Sequence, residues 1–236
     1  PLGAVSGYLD MLQNRLHGDS LAEYDQLLER SQDRLAGMRR LIQDLLDMTM
    51  VESKCKQRDL QPLDIRNVLR DAVETLSTAA AEQQVEIKLH GDAPIVMAAD
   101  AIELSMIAQN LISNAVKYNR RGGQVHITAD RNAETVTISV ADTGCGIPND
   151  QLDRLCNEFV RVKTEATRHV PGSGLGLSIV DKIARLYGGE VAIDSEEGVG
   201  STFTVVLHDD CDVSPQATAA LIDSDRDVTT GALPVT

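Results

Sequence analysis

The sequence predicts an α+β chain. A helical hairpin, paired with a second copy into a dimeric four-helix bundle, precedes an α/β sandwich: a mixed sheet covered on one face by helices. Three observations predict it. Residues 1–58 carry apolar residues at heptad spacing. Residues 59–208 mix helix-period and period-two segments irregularly, with hairpin-like turns between them. Residues 209–236 are polar and acidic without lasting periodicity, as in a disordered tail or linker.

In the first region Leu2, Val5, Leu9, Leu12 and Leu16 form a helical seam, which His17-Gly18-Asp19 breaks. Ser20 and Glu23 have the spacing of a capping box and restart a helix. That second, much longer helix carries Leu21, Tyr24, Leu28, Ser31, Leu35, Met38, Ile42, Leu45 and Thr49 on one heptad, widened by Leu27, Leu41 and Leu46. Two stripes this broad cannot cover each other, and no third heptad helix follows. The expected partner is a second copy, joined through residues 1–52. Ser31 and Thr49 interrupt the seam and favour a dynamic bundle.

The second region opens with a helix expected from Asp64 to Ala81, followed by strands near Val85–His90 and Ile95–Ala98. Asp100 caps a further helix to about Tyr118, with Glu103 three residues on completing the cap. Strands over 124–130 and 135–141 turn at Arg131-Asn132-Ala133. A glycine-rich loop then leads to a helix from about Leu175 to Tyr187, and strands over 190–194 and 201–208 finish the region. Near the end, Ala220 to Asp225 faintly resembles the opening strand of a receiver domain, but no helix pattern follows.

The 236 residues carry 22 basic and 36 acidic side chains, a net charge of −14. Such a surface repels phosphate backbones and anionic membranes, so neither nucleic acid nor lipid is an expected partner. No apolar run is long enough to span a bilayer. The core must be aliphatic, since aromatics are 3% and Trp is absent. Cys55, Cys145, Cys156 and Cys211 lack zinc-like spacing and read as reduced thiols in a cytoplasmic protein.

Four short signals carry chemistry. Asn110, Asn114 and Lys117 share a helix stripe about 100° around from the apolar stripe of Leu104, Ile107, Leu111 and Ala115. Amide oxygens are hard ligands for Mg²⁺ and an ammonium suits a phosphate chain, although such a stripe alone is also what a solvated face looks like. Asp142-Thr143-Gly144-Cys145-Gly146-Ile147-Pro148 follows an apolar strand; its carboxylate can accept from an exocyclic amine, and alone it is also a plain turn. Phe159-Val160-Arg161 lies in a long polar stretch. Gly172-Ser173-Gly174-Leu175-Gly176 opens a helix, where free N–H groups favour anions. No G-x-x-x-x-G-K-[ST] loop occurs.

In this order the four signals resemble the N box, first glycine box, F box and second glycine box of sensor histidine kinases, whose ATP-binding domain has the Bergerat-type fold. Tyr187-Gly188-Gly189 and Ser195 to Phe203 are similar to that family's ending, and Pro1 to Leu12 to the segment after its phosphoacceptor histidine. Leu45 to Met48 with Glu52-Ser53 resemble the end of its second dimerisation helix. The resemblance implies a dimerisation hairpin over 1–58, an ATP-binding catalytic domain over 59–208, and ATP with Mg²⁺ as cofactors. It further implies that Asn114, helped by Asn110, holds the metal; Lys117 neutralises phosphate; Tyr118 packs on base or ribose. Asp142 would accept from the adenine amine, with Gly144, Gly146 and Ile147 shaping that wall. Arg161 would reach the γ-phosphate from a mobile lid over about 152–172. Phe159, Gly172, Gly174, Leu175 and Gly176 would complete the nucleotide site.

The family's H box ends in Pro-Leu, so its histidine falls five residues ahead of Pro1; none of His17, His90, His126, His169 and His208 has that context. The chain alone is therefore expected to bind Mg-ATP without labelling itself. The whole protein would pass phosphate to an upstream histidine and on to a response-regulator receiver, and upstream segments could anchor it to a membrane. The alternatives are a nucleotide-binding signalling module without kinase activity, and a clamp-type ATPase of the same fold. The heptad hairpin argues against the clamp type. Cys156 stands where the F box often has Phe, and Met106 where Gln is frequent.

Overall fold

A computed structural model describes residues 2–14, 21–52, 58–162, 164, 167–168, 170 and 172–209. The hairpin consists of α1 (Leu2–Gln13) and α2 (Leu21–Glu52), the second far longer, as the heptads predict. Val5 and Leu27 are buried, whereas Leu9, Leu28, Leu35, Ile42 and Leu45 on the seam stay 45–54% exposed. Ser31 is buried on that seam, and its hydroxyl donates to the Leu27 carbonyl at 2.7 Å. The polar seam residue is thus satisfied within its own helix. The capping box at Ser20 lies outside the described residues, as does the tail from 210 on.

The second region contains β1 (Gln61–Asp64), α3 (Ile65–Gln83), β2 (Glu86–Leu89), β3 (Val96–Ala99) and α4 (Ala101–Lys117). It continues with β4 (Gln124–Arg131), β5 (Thr135–Asp142), a 3₁₀ turn (Asn149–Arg154), α5 (Gly176–Leu186), β6 (Glu190–Glu196) and β7 (Gly200–His208). The main sheet has the order β2-β4-β5-β7-β6 and is mixed: β2 runs parallel to β4, and the other neighbours are antiparallel.

Alternation fixes which face is covered. Val125, Ile127 and Ala129 of β4 and Val136, Ile138 and Val140 of β5 point into the core, while His126, Thr128, Thr137 and Ser139 do not. Against them pack Leu69 of α3, Leu104, Ile107 and Leu111 of α4, and Ile179 and Ile183 of α5. Each of these aliphatic side chains contributes roughly 1.5–3 kcal/mol when fully buried. The apolar stripe predicted for α4 is therefore the core stripe, which leaves the Asn110–Asn114–Lys117 stripe free to face a cleft.

Three details differ from expectation. Residues 61–64 form β1, which pairs antiparallel with β3 in a separate two-stranded sheet, Pro62 opposite Ala98. Pro62 hides such a strand from sequence reading; it is tolerated because β1 has a single partner. Asp100 caps α4, accepting from Ile102 N (2.9 Å) and Glu103 N (3.4 Å), but Glu103 does not close a capping box. Its carboxylate is taken instead by Arg58. Asp209, expected in the tail, is docked: its side chain is 1% exposed, pairs with Arg131 at 2.7 Å and accepts from Ala98 N.

Candidate functional site

The C-terminal half of α4, the end of β5 and the two glycine turns enclose a cavity of about 320 Å³. Asn110, Asn114, Lys117 and Tyr118 line one wall, and Asp142, Gly146 and Ile147 the adenine-side wall of the sequence reading. Gly172, Gly174 and Gly176 line the other end, with Arg161 above them. Segments 32 and 62 residues apart in sequence thus meet because β5 runs beside the helix layer and α5 packs on α4.

The α4 side chains are individually placed. Asn110 Nδ2 donates back to the Met106 carbonyl at 2.8 Å, which turns its Oδ1 toward the start of α5. A Cβ on Gly176 would stand 2.5 Å from that oxygen, so glycine lets the α5 N-terminus approach the amide without displacing it. Among the described residues the Asn114 side chain makes no hydrogen bond, and it faces the cavity. Two amide oxygens one turn apart at a phosphate-sized space are a donor set that fits Mg²⁺, which shares its shell with substrate phosphate. Burial pushes the Lys117 ammonium pKa down, and the nearby Arg40 adds to the shift while Asp44 opposes it. A buried cation with its charge incompletely balanced is suited to receive phosphate.

The other wall centres on Asp142. Burial pushes its carboxyl up to about 6, against the backbone amides of Gly144 and Ser201, which favour the charged form. Gly144 N donates to Asp142 Oδ1 at 2.8 Å. Gly144 itself does not line the cavity; it orients the acid. Gly146 has φ +63°, and a Cβ there would collide with the Glu196 carbonyl. The turn is held from both sides: Cys145 N donates to the Tyr118 carbonyl (3.0 Å), Gly198 N to the Cys145 carbonyl (2.7 Å), and Ile147 N to Ser195 Oγ (2.9 Å). The segment from Ser195 to Gly200 therefore buttresses the first glycine turn.

Two expected nucleotide contacts stand outside the cavity, and a third lines it but is already engaged. Phe159 is 60% exposed with φ +60° and does not line the cavity. Cys156, three residues earlier, is half-buried. Leu175 is fully buried, its side chain part of the core and its N–H taken by Ser173 Oγ at 3.2 Å. Arg161 lines the cavity but donates to the carbonyls of Val170 and of Gly172 (3.0 Å) rather than pointing free into it. Its buried Nε has no partner among the described residues.

Sequence reading also missed a wall. Arg40, Gln43, Asp44 and Asp47 of α2 line the same cavity, and Ser173 Oγ donates to Asp44 Oδ2. Heptad analysis assigns α2 to the bundle, and only the packing of α5 on its C-terminal half reveals the second role. No cluster of three or more His, Cys, Asp or Glu side chains suited to a metal ion occurs among the described residues. None of their helices is long and apolar enough to cross a membrane.

Similarity to known proteins covers both regions of the chain. Residues 99–210 match the family described as histidine kinase-, DNA gyrase B-, and HSP90-like ATPase, and residues 1–54 match the His Kinase A (phospho-acceptor) domain. The chain is 36% identical over 213 residues to histidine protein kinase DivJ of Caulobacter vibrioides, covering 88% of this chain and 35% of that protein. It is 31% identical to sensor histidine kinase GacS of Pseudomonas protegens, over 88% of this chain and 23% of that one. The chain thus spans well under half the length of these relatives. The structure of full-length ShkA in complex with AMPPNP superposes with a TM-score of 0.64 at 31% identity, over 79% of this chain and 38% of that one. The Acinetobacter baumannii histidine kinase AdeS gives 0.70 over 89% of this chain and 96% of that one, its 18% identity speaking to the fold alone.

Proposed function

The chain belongs to the sensor histidine kinase family, and from that premise we propose that it forms the catalytic core of such a kinase. It binds ATP with Mg²⁺ in the cavity between α4, β5 and the glycine turns. The γ-phosphate then passes to a histidine outside this sequence and on to an aspartate of a response-regulator receiver. Two copies associate through residues 1–52.

One observation carries the reading: two amides, a buried ammonium, a buried carboxyl and glycine-opened backbone from three separate segments converge on one cavity. A solvated polar face does not converge in this way. The 31% identical ShkA structure, a complex with AMPPNP, supports a nucleotide as the occupant. The exposed leucine and isoleucine seam of α1 and α2 supports the second copy.

Each group has a task. The Asp142 carboxylate accepts from an adenine amine, and its raised pKa is the result of burial that a donor on the base would reverse. Asn114 and Asn110 would hold Mg²⁺, which when bound neutralises charge on the phosphates. Lys117 adds a cation with little competing solvation. The N-terminus of α5, opened by Gly174 and Gly176, offers N–H groups to the phosphate chain. Phosphoryl transfer asks mostly for position and charge neutralisation, and these residues supply both. Arg161 ties the lid to the second glycine turn in the present arrangement, and reaching phosphate requires it to leave the Val170 and Gly172 carbonyls.

Calorimetry tests the reading. ADP with Mg²⁺ is expected to bind the wild-type chain, and Asn114→Ala to weaken that binding at least tenfold. Wild-type protein that takes up no nucleotide, or an Asn114→Ala variant that binds as well as wild type, refutes it.

A further inference from the structure

Beyond the nucleotide site itself, and resting on the reading just given, the cavity contains a group that is not part of the nucleotide-binding set. Asp44 of α2 reaches into its phosphate end, where its carboxylate accepts a hydrogen bond from Ser173 Oγ between the glycines of the second turn. Arg40, one turn earlier on α2, and Lys117, from α4, line the same space. Asp44 is thus a carboxylate bonded to the hydroxyl and acting on the Lys117 cation at this end, where a phosphate oxygen is expected to lie, whereas Asp47, also in the lining, accepts from Gln43.

We propose that Asp44 is a built-in competitor of the nucleotide's phosphates: with α5 docked on α2, its carboxylate occupies part of the phosphate subsite, and nucleotide binding and this docking exclude each other. The electrostatics agree, because the Asp44 charge favours the protonated state of Lys117 as a bound phosphate would. The docked arrangement is fastened a second time. Lys182 of α5 pairs with Glu52 of α2, and also with Glu158 at the foot of the lid at 2.8 Å. Asp44 and Glu52 lie eight residues apart, about 12 Å along one helix, so the two contacts hold α5 as a lever rather than as a point.

The consequence is reciprocal by thermodynamic necessity. Nucleotide entering the site releases the catalytic domain from α2, and any movement of α2 that withdraws Asp44 raises nucleotide affinity. A signal that shifts the hairpin would thereby control access to ATP without touching the adenine wall, which α2 does not line.

Calorimetry on the whole chain, with Mg-ADP and with adenosine, separates the possibilities. Asp44→Asn keeps the shape of the side chain and removes its charge. It is expected to tighten Mg-ADP about tenfold, the scale of one charge-assisted hydrogen bond, and to leave adenosine unchanged. Glu52→Gln, outside the cavity, is expected to tighten Mg-ADP by a smaller factor through weaker docking, and it decides the matter should Asp44→Asn not fold. Unchanged or weaker Mg-ADP binding in the folded variants overturns the proposal, as does an equal gain for adenosine. Failure of wild type to bind either ligand would instead refute the nucleotide reading itself, and this proposal with it.

Discussion

Arg58 and Glu103 are joined at both carboxylate oxygens, with Arg58 Nη2 2.7 Å from Oε2 and Nε 3.1 Å from each oxygen. The Glu103 side chain is only 7% exposed, and the Arg58 guanidinium lies over the Tyr187 ring at 4.2 Å. Tyr187 in turn receives the Asp100 N–H at its hydroxyl, at 2.9 Å. One arginine before β1 thus secures the starts of α4 and the end of α5 together.

Removing Arg58 strands a buried carboxylate. Arg58→Ala is expected to lower the stability of the catalytic domain by about 2 kcal/mol, less than a fully buried pair would because Arg58 remains partly exposed. Adding Glu103→Leu should restore most of the loss. Urea unfolding of the single and double variants checks this; a double variant no better than Arg58→Ala would contradict it.

Asp142 links function to pH. Its carboxyl titrates near 6 in the fold and near 3.8 when unfolded, so the native state holds the proton more tightly. The associated stability is fully present below about pH 4 and is lost as pH rises through about 6. At pH 7.5 Asp142→Asn is therefore expected to stabilise the nucleotide-free domain by roughly 1–3 kcal/mol while abolishing adenosine binding. At pH 4 the stability gain should vanish. Denaturant titrations at the two pH values, with adenosine calorimetry at the higher, test both halves.

Gly176 separates packing from binding. A methyl group there presses on Asn110 Oδ1, the end of a side chain with some room to turn, rather than on backbone. Gly176→Ala is expected to cost less than about 1.5 kcal/mol in stability yet weaken Mg-ADP at least tenfold, since it displaces an amide expected to hold the cation. Thermal unfolding and calorimetry on the same sample read the two quantities.

The hairpin should carry the dimer. Leu35 and Ile42 are one heptad apart and half exposed on a single copy. Leu35→Glu with Ile42→Glu is expected to give a monomer in sedimentation velocity with little loss of helix content, because neither side chain is buried within the chain. A dimer that survives the pair of charges would remove residues 1–52 as the interface.

The parts legible in sequence were those written in local periodicity. Leu104, Ile107, Leu111 and Ala115 announced both the buried face of α4 and, by exclusion, the face on which Asn114 lines the cavity. The alternation in β4 and β5 announced the covered sheet. What stayed hidden depended on partners distant in the chain. Glu103 looks like half of a capping box until Arg58, 45 residues earlier, claims it. Asp44 looks like a solvated bundle position until Ser173, 129 residues later, meets it. The outward turn of Phe159 and the carbonyl partners of Arg161 stayed hidden for a related reason: lid side chains take their orientation from what the lid rests on, and no local pattern encodes that.

Anchoring at Arg58 also limits travel. Glu52, the last residue of α2, and Arg58 are six residues apart in sequence, a separation that spans at most about 22 Å. On the reading proposed above, a catalytic domain so placed can deliver phosphate only to side chains within reach of the foot of its hairpin.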